Sequence, residues 1–273
     1  MREAAVSGQS DLDSLNARRR ALKARLRGRE RTLAAWTSLA HPSITEIFAR
    51  AGVDFVGIDV EHGTISHEQA QCVIAAAQAG GTLCLPRIAS HNPEAMKRFL
   101  DSGADGLIVP MVDTPEQAAD LVAWSTYPPI GRRSFGVSRA QGYGFDFDAY
   151  AAAWNGAGSL LVQIESVTGV ANVDAILAND AVDGAMIGPY DISGSLGVPG
   201  QLDHPKVREA GAAVVEACRR AGKACGTQIV DPDEASVAAA FDEGYTFVVL
   251  SSDVFLLWKW AERMRGVVAS TRA

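Results

Sequence analysis

Two carboxylates and an imidazole fall within four residues in Asp59-Val60-Glu61-His62, directly after the apolar run Phe55-Val56-Gly57-Ile58. A short apolar run of this kind reads as a buried strand, and the residues that follow it are delivered to fixed positions where the chain meets solvent. Carboxylates beside an imidazole can orient a base, tune its proton affinity or meet a metal. Two more acids close later apolar runs: Glu165 in Gln163-Ile164-Glu165, and Asp191 in Gly188-Pro189-Tyr190-Asp191. Gln163 and Glu165 share one face of an extended chain, because strand side chains alternate. A pair of carboxylates with open positions suits Mg²⁺ or Mn²⁺, hard cations that keep bound waters. A salt bridge from Glu165 to a nearby Lys or Arg satisfies the same pattern. Arg87, at the end of Cys84-Leu85-Pro86-Arg87, has the chemistry to recognise a carboxylate or stabilise an oxyanion, or to pair with an acid of its own chain. His62 likewise has a plain reading as a loop histidine.

Other chemistries lack their residues. Lys23, Lys97, Lys206, Lys223 and Lys259 fall on helices, on loops or ahead of a strand, so a Schiff-base mechanism has no amine at a strand end. There is no G-x-S-x-G elbow, no G-x-G-x-x-G after the first strand and no phosphate-binding G-x-x-x-x-G-K-[ST]. Cys72, Cys84, Cys218 and Cys225 form no C-x-x-C pair and no zinc-finger spacing, and read as thiols in a reducing compartment.

The elements that must position these groups follow a regular alternation. Strands are expected at 33–36, 55–59, 83–87, 106–109, 160–165, 185–188, 224–229 and 247–250. Helical patterns lie between most of them, at 43–51, 66–79, 93–102, 115–124, 168–177, 205–221 and 232–243, with a last helix at 253–265. Asn92-Pro93, Thr114-Pro115 and Asp231-Pro232 mark helix starts, and Gly103, Gly222 and Gly244 mark ends. Strands alternating with helices specify a parallel sheet, and eight of them without a nucleotide-binding glycine loop specify a closed (β/α)8 TIM barrel. In such barrels active sites sit at the C-terminal strand ends. Those ends carry Thr37 and Ser38, then Asp59, Glu61 and His62, then Arg87, Gln163 and Glu165, Asp191, Thr227 and Gln228, and Ser251 and Ser252. The connection from Val112 to Ser159 is the longest, and its length together with Arg132, Arg133 and Arg139 suggests a functional loop.

Ahead of the barrel, residues 1–14 read as a flexible polar tail and 15–29 as a helix, leaving 15–273 as a single barrel domain. The run Arg18-Arg19-Arg20 reads as a solvated helix face. The net charge of −7 over 273 residues argues against nucleic acid and anionic membranes as partners. No apolar stretch reaches bilayer-spanning length and no leader-like apolar segment opens the chain, so a cytoplasmic location is expected.

Six ordered motifs carry a likeness to a known family: Asp54-Phe55-Val56-Gly57-Ile58-Asp59-Val60-Glu61-His62, Pro86-Arg87, Val109-Pro110-Met111-Val112, Tyr127-Pro128-Pro129, Val162-Gln163-Ile164-Glu165 and Ile187-Gly188-Pro189-Tyr190-Asp191-Ile192-Ser193. With these the chain resembles the HpcH/HpaI aldolase/citrate lyase family, the metal-dependent (class II) pyruvate aldolases. The resemblance implies a (β/α)8 barrel that assembles as a homo-oligomer, trimer or hexamer, with the C-terminal helix packed on a neighbour. It implies reversible aldol cleavage of a 4-hydroxy-2-oxo acid to pyruvate, or a close 2-oxo acid, and an aldehyde, through an enolate stabilised by Mg²⁺, Mn²⁺ or Co²⁺. By the same resemblance Glu165 and Asp191 hold the cation, Gln163 lies beside the substrate, and Gly188, Pro189 and Tyr190 meet its carboxylate. Arg87 stabilises the enolate oxygen, and His62 is the base, oriented by Asp59 with Glu61 in support. Asp101 would raise the basicity of a His62 across a subunit interface, since it precedes its strand; a plain helix-end carboxylate fits it too.

Two departures from the family pattern stand out. Val60 replaces a small residue, and the stretch Phe135-Gly136-Val137-Ser138-Arg139-Ala140-Gln141, expected to face the aldehyde partner, differs from aromatic-degradation aldolases. A CoA-thioester lyase of the citrate or malyl type and an oxaloacetate decarboxylase share much of this residue set, although the Asp-x-Glu-His motif points away from the thioester lyases. A non-catalytic metabolite-binding barrel is the alternative from another class, and the full set of polar strand ends argues against it.

Overall fold

The structure is a computed structural model that describes residues 8–272. Eight parallel strands close into a barrel in chain order: β1 (Thr32–Thr37), β2 (Phe55–Asp59), β3 (Leu83–Arg87), β4 (Gly106–Val109), β5 (Ser159–Ile164), β6 (Gly184–Ile187), β7 (Ala224–Ile229) and β8 (Phe247–Leu250). Each strand lies within about a residue of its expected bounds, as apolar runs buried on both faces should. The barrel interior is filled by Trp36, Phe55, Leu85, Ile108, Leu161, Met186, Phe247 and Val249.

The crossover helices begin where the sequence offers a cap. α3 (His67–Ala79) opens with a Ser66/Gln69 capping box, α4 (Pro93–Asp101) with the Asn92 side chain accepting from Glu94 and Ala95, and α5 (Pro115–Ser125) with a Thr114/Gln117 box. α9 (Pro205–Ala221) ends on Gly222, whose φ of 65° is one that glycine adopts without strain. α2 (Pro42–Arg50), α7 (Val167–Leu177) and α10 (Glu234–Asp242) complete the expected set.

One device repeats at the N-terminal end of the barrel. The residue just before each even-numbered strand accepts a hydrogen bond from a backbone N–H early in the preceding strand. Asp54 takes Leu33 N at 2.8 Å, Asp105 takes Cys84 N at 2.8 Å, Asp183 takes Leu160 N at 2.9 Å, and the Thr246 hydroxyl takes Cys225 N at 2.9 Å. These side chains hold neighbouring strands in register. The N-terminal helix α1 (Gly8–Arg27) then closes this end. Its Leu22 and Leu26 join the barrel interior, and its cations meet the strand-end acids: Arg19 with Asp105 at 2.7 Å, Lys23 and Arg27 with Asp183 at 2.7 Å each, and Arg25 with Asp54.

The structure corrects several expectations. α1 begins at Gly8, seven residues ahead of the expected helix, while residues 1–7 of the expected tail lie outside the described residues. Arg19 is buried, not part of a solvated face, because its partner Asp105 lies at the barrel floor. The long connection after β4 folds into a 3₁₀ segment (Arg139–Gly144) and α6 (Phe147–Ala157). A short α8 (Pro189–Ser195) follows β6, and α11 (Asp253–Arg272) runs past the expected end at 265. No helix among the described residues is long and apolar enough to cross a membrane.

Candidate active site

The C-terminal strand ends bring together one continuous chain of polar contacts. At its centre Arg87 closes β3 beside β2, in register with Asp59. Its guanidinium donates to both Asp59 oxygens, Nε to Oδ1 at 3.2 Å and Nη2 to Oδ2 at 2.9 Å, and Nη1 reaches Gln163 Oε1 at 3.5 Å. Gln163 passes the chain on, its amide donating to Glu165 Oε2. Glu165 Oε1 accepts the Met111 backbone N–H at 2.6 Å. Gln163 and Glu165 project the same way, as their spacing along the strand demands.

Trp36 forms the floor. Its indole lies under Arg87, with the guanidinium carbon 5.1 Å from the ring centroid, a cation–π approach. Trp36 stands in register with Gly57 of β2, and any β-carbon at Gly57 would collide with the indole. Gly57 is therefore the small residue that lets Trp36 lie flat beneath the arginine. Gly188 serves Glu165 in the same way, since a β-carbon there would stand 2.6 Å from Glu165 Oε2 and 3.1 Å from Gln163 Nε2. The turn Gly188-Pro189-Tyr190 leads into the first turn of α8, where Asp191 lies exposed.

Charge is unbalanced at this end. Glu165 is buried, and among the described residues no cationic side chain donates to it; its donors are an amide and a backbone N–H. Burial, with Glu61 and Asp191 adding repulsion, outweighs the Met111 N–H and the charge of Arg87 and pushes its carboxyl up to about 7. The Glu61 carboxyl is raised as well, by burial first, against the pull of Arg87 and His62. A cation beside Glu165 and Asp191 would relieve this surplus, and an all-oxygen donor set fits a hard divalent ion. Among the described residues no three His, Cys, Asp or Glu side chains converge into a ready three-ligand cluster.

His62 stands at the edge of the group with its ring mostly exposed. Its backbone N–H donates to Asp59 Oδ1 at 3.1 Å, while the ring Nε2 faces Glu61 Oε2 at 3.7 Å. The expected Asp59–imidazole contact is therefore replaced: Asp59 fixes the backbone of His62 and the guanidinium of Arg87, and Glu61 is the acid that faces the ring. Val60 packs half-buried against the main core.

Asp101 is not brought to this group within one chain. It ends α4 toward the N-terminal end of the strands, ahead of β4, and accepts from Arg133 Nη2 at 2.7 Å. Arg133 is buried beside Tyr127, Tyr150 and Trp154. Arg139 donates to Ser102 O at 3.1 Å and Gln78 Oε1 at 2.8 Å, and Arg132 pairs with Asp120 at 2.9 Å. All three arginines of the long connection thus have partners in their own chain. Arg133 and Arg139 fasten it to groups that precede β4, away from Arg87 and Glu165.

Two contributors escaped sequence reasoning. The Gly57 beside an aromatic-bearing strand was a usable signal for Trp36, because glycine inside a strand marks a close approach. Met111 gave none: a non-glycine residue with φ of 53° aims its N–H at Glu165, and its side chain plays no part in that bond.

Comparison with known proteins agrees with this geometry. The sequence profile of HpcH/HpaI aldolase/citrate lyase matches residues 32–259. A hydroxypyruvate/pyruvate aldolase of Roseobacter denitrificans is 37% identical over 84% of this chain and 89% of its own length. A 2-keto-3-deoxy-L-rhamnonate aldolase of Klebsiella pneumoniae is 38% identical over 91% of this chain and 92% of its own. A crystal structure of an HpcH/HpaI aldolase/citrate lyase family protein from Burkholderia cenocepacia superposes with a TM-score of 0.85 at 33% identity, covering 93% of this chain and all of that one.

Proposed function

The chain belongs to the HpcH/HpaI aldolase/citrate lyase family and is a carbon–carbon lyase of the aldolase kind, and on that premise we propose that it cleaves a 4-hydroxy-2-oxo acid reversibly into pyruvate, or a close 2-oxo acid, and an aldehyde. The observation that carries this reading is Glu165: a buried carboxyl next to two other acids, with an arginine one side chain away. Its surplus charge calls for a divalent cation, held by Glu165 and Asp191. When bound, that cation supplies the positive charge that carbon–carbon cleavage to a carbanion requires.

The protein groups do the rest. Arg87 is clamped by Asp59 and supported by Trp36, so its guanidinium is preorganised for an oxyanion and need not reorient during reaction. Gln163, tied at both ends, orients the substrate beside Glu165. The turn at Gly188, Pro189 and Tyr190 receives the substrate carboxylate. His62 takes the proton of the C4 hydroxyl, the general-base task that imidazole performs most often in enzymes. The exposed edge around His62 is where a neighbouring subunit of a homo-oligomer would close the site. That arrangement would also carry Asp101 of one chain toward His62 of another.

Incubation with a 4-hydroxy-2-oxo acid and a divalent cation tests the reading. Pyruvate and aldehyde should appear in equal amounts. Carbon dioxide from oxaloacetate alone, or cleavage confined to a CoA thioester, would contradict it.

A further inference from the structure

Glu61 stands between the guanidinium of Arg87 and the imidazole of His62, yet the reading above gives it no duty. Its Oε2 is buried and lies 3.2 Å from Arg87 Nε and 3.7 Å from His62 Nε2. Neither approach is a hydrogen bond: the Arg87 N–H is given to Asp59, and the imidazole is one step too far. A buried carboxylate oxygen without a donor is costly, and its persistence here asks for a reason. Asp59 is engaged elsewhere: its oxygens accept from Arg87 and from the backbone of His62, and the nearest acid to the ring is Glu61.

We propose that Glu61 is the positioning residue of His62: it holds Nε2–H, fixes the tautomer that leaves Nδ1 free for substrate, and stabilises the imidazolium formed during the reaction. The proposal rests on His62 acting as the base. In the cleavage direction Nδ1 takes the proton of the C4 hydroxyl. The oxygen's electron pair forms the carbonyl of the aldehyde, and the C3–C4 bonding pair becomes the enolate of the 2-oxo acid. The imidazolium then returns its proton to C3 and is neutral again. Throughout, Nε2–H points at Glu61, and a shift of less than 1 Å in an exposed ring closes the hydrogen bond. The Asp–His pair of serine hydrolases uses a carboxylate in this way, to hold an imidazole in one tautomer and to stabilise its cation. Arg87 completes the logic. Its guanidinium, pinned by Asp59, opposes the upward push of burial on the Glu61 carboxyl and holds Oε2 on the side of the ring.

A double-mutant cycle on the full-length, metal-loaded protein tests the assignment, with Glu61→Gln, His62→Asn and the pair compared in steady-state cleavage. Glu61→Gln should lower kcat about 10- to 100-fold, the usual effect of losing a group that orients a reacting one, with KM nearly unchanged. In the His62→Asn background the same change should cost less than about 3-fold, because the two residues act as a unit. Nitrogen NMR of the wild-type imidazole gives a reading free of turnover: the neutral ring of His62 should carry its proton on Nε2. Equal losses in both backgrounds, a loss confined to KM, wild-type activity of Glu61→Gln, or a proton on Nδ1 would each overturn the proposal. Full activity of His62→Asn alone would instead sink the base assignment on which it rests.

Discussion

Glu165 is the residue where local forces conflict most, and the conflict gives it a measurable signature. Its carboxyl is pushed up to about 7 from an ordinary 4.5, chiefly by burial. Between those two values the folded, metal-free protein holds a proton that the unfolded chain has lost. The stability this contributes is full below 4.5 and is lost as pH rises through 7. A cation must displace that proton, so its affinity should climb roughly tenfold per pH unit below about 7 and level off above it. Calorimetric titration with Mn²⁺ from pH 5.5 to 8.5 measures this, and Glu165→Gln should flatten the profile. His62, Arg87, Gln163 and Glu165 were legible because each sits at a strand end, and a strand end fixes position. The expected Asp59–imidazole contact is absent within one chain, where Asp59 meets the His62 backbone and Glu61 lies nearer the ring. Which of two neighbouring acids faces a ring depends on how the chain turns after β2, and spacing does not encode that.

At the scale of elements, the acids that precede the even-numbered strands explain how α1 is fastened. Asp105 is the clearest: it accepts from Cys84 N and from Gln78, and it is paired with buried Arg19. Removing one partner of a buried ion pair leaves the other charge without compensation, at about 3–5 kcal/mol. Asp105→Ala should therefore lower the unfolding free energy, read from denaturant titration, by that much, while kcat of the folded fraction stays within about twofold, since Asp105 lies at the opposite end of the barrel. An unfolding free energy within about 1 kcal/mol of wild type would show that α1 is held by its leucines alone. The eight strands were legible because each is an apolar run buried on both faces. Arg19 was not: pairing with an acid 86 residues away leaves no trace in helical periodicity. The connection after β4 hid α6 for a related reason, because its glycines and prolines masked a helix of 11 residues.

At the scale of the molecule, α11 is the helix that its own chain covers least. Of its residues only Asp253 is buried, fastened to Thr37, Ser38 and Leu39, while Leu257, Trp258, Trp260, Met264 and Val267 are exposed. Apolar surface of this extent on one helix is the kind that a subunit interface covers, which is what the proposed homo-oligomer calls for. Sedimentation should find trimers or hexamers for the wild type and smaller species for Trp260→Glu; a monomeric wild type would contradict this. The central claim is that Glu165, charged and carrying a divalent cation, drives aldol cleavage, and pyruvate release from a 4-hydroxy-2-oxo acid tests it most directly. The account predicts release that EDTA abolishes, that Mn²⁺ or Mg²⁺ restores, and that Glu165→Ala lowers at least about a hundredfold with or without added metal. Release that survives both EDTA and Glu165→Ala would contradict it.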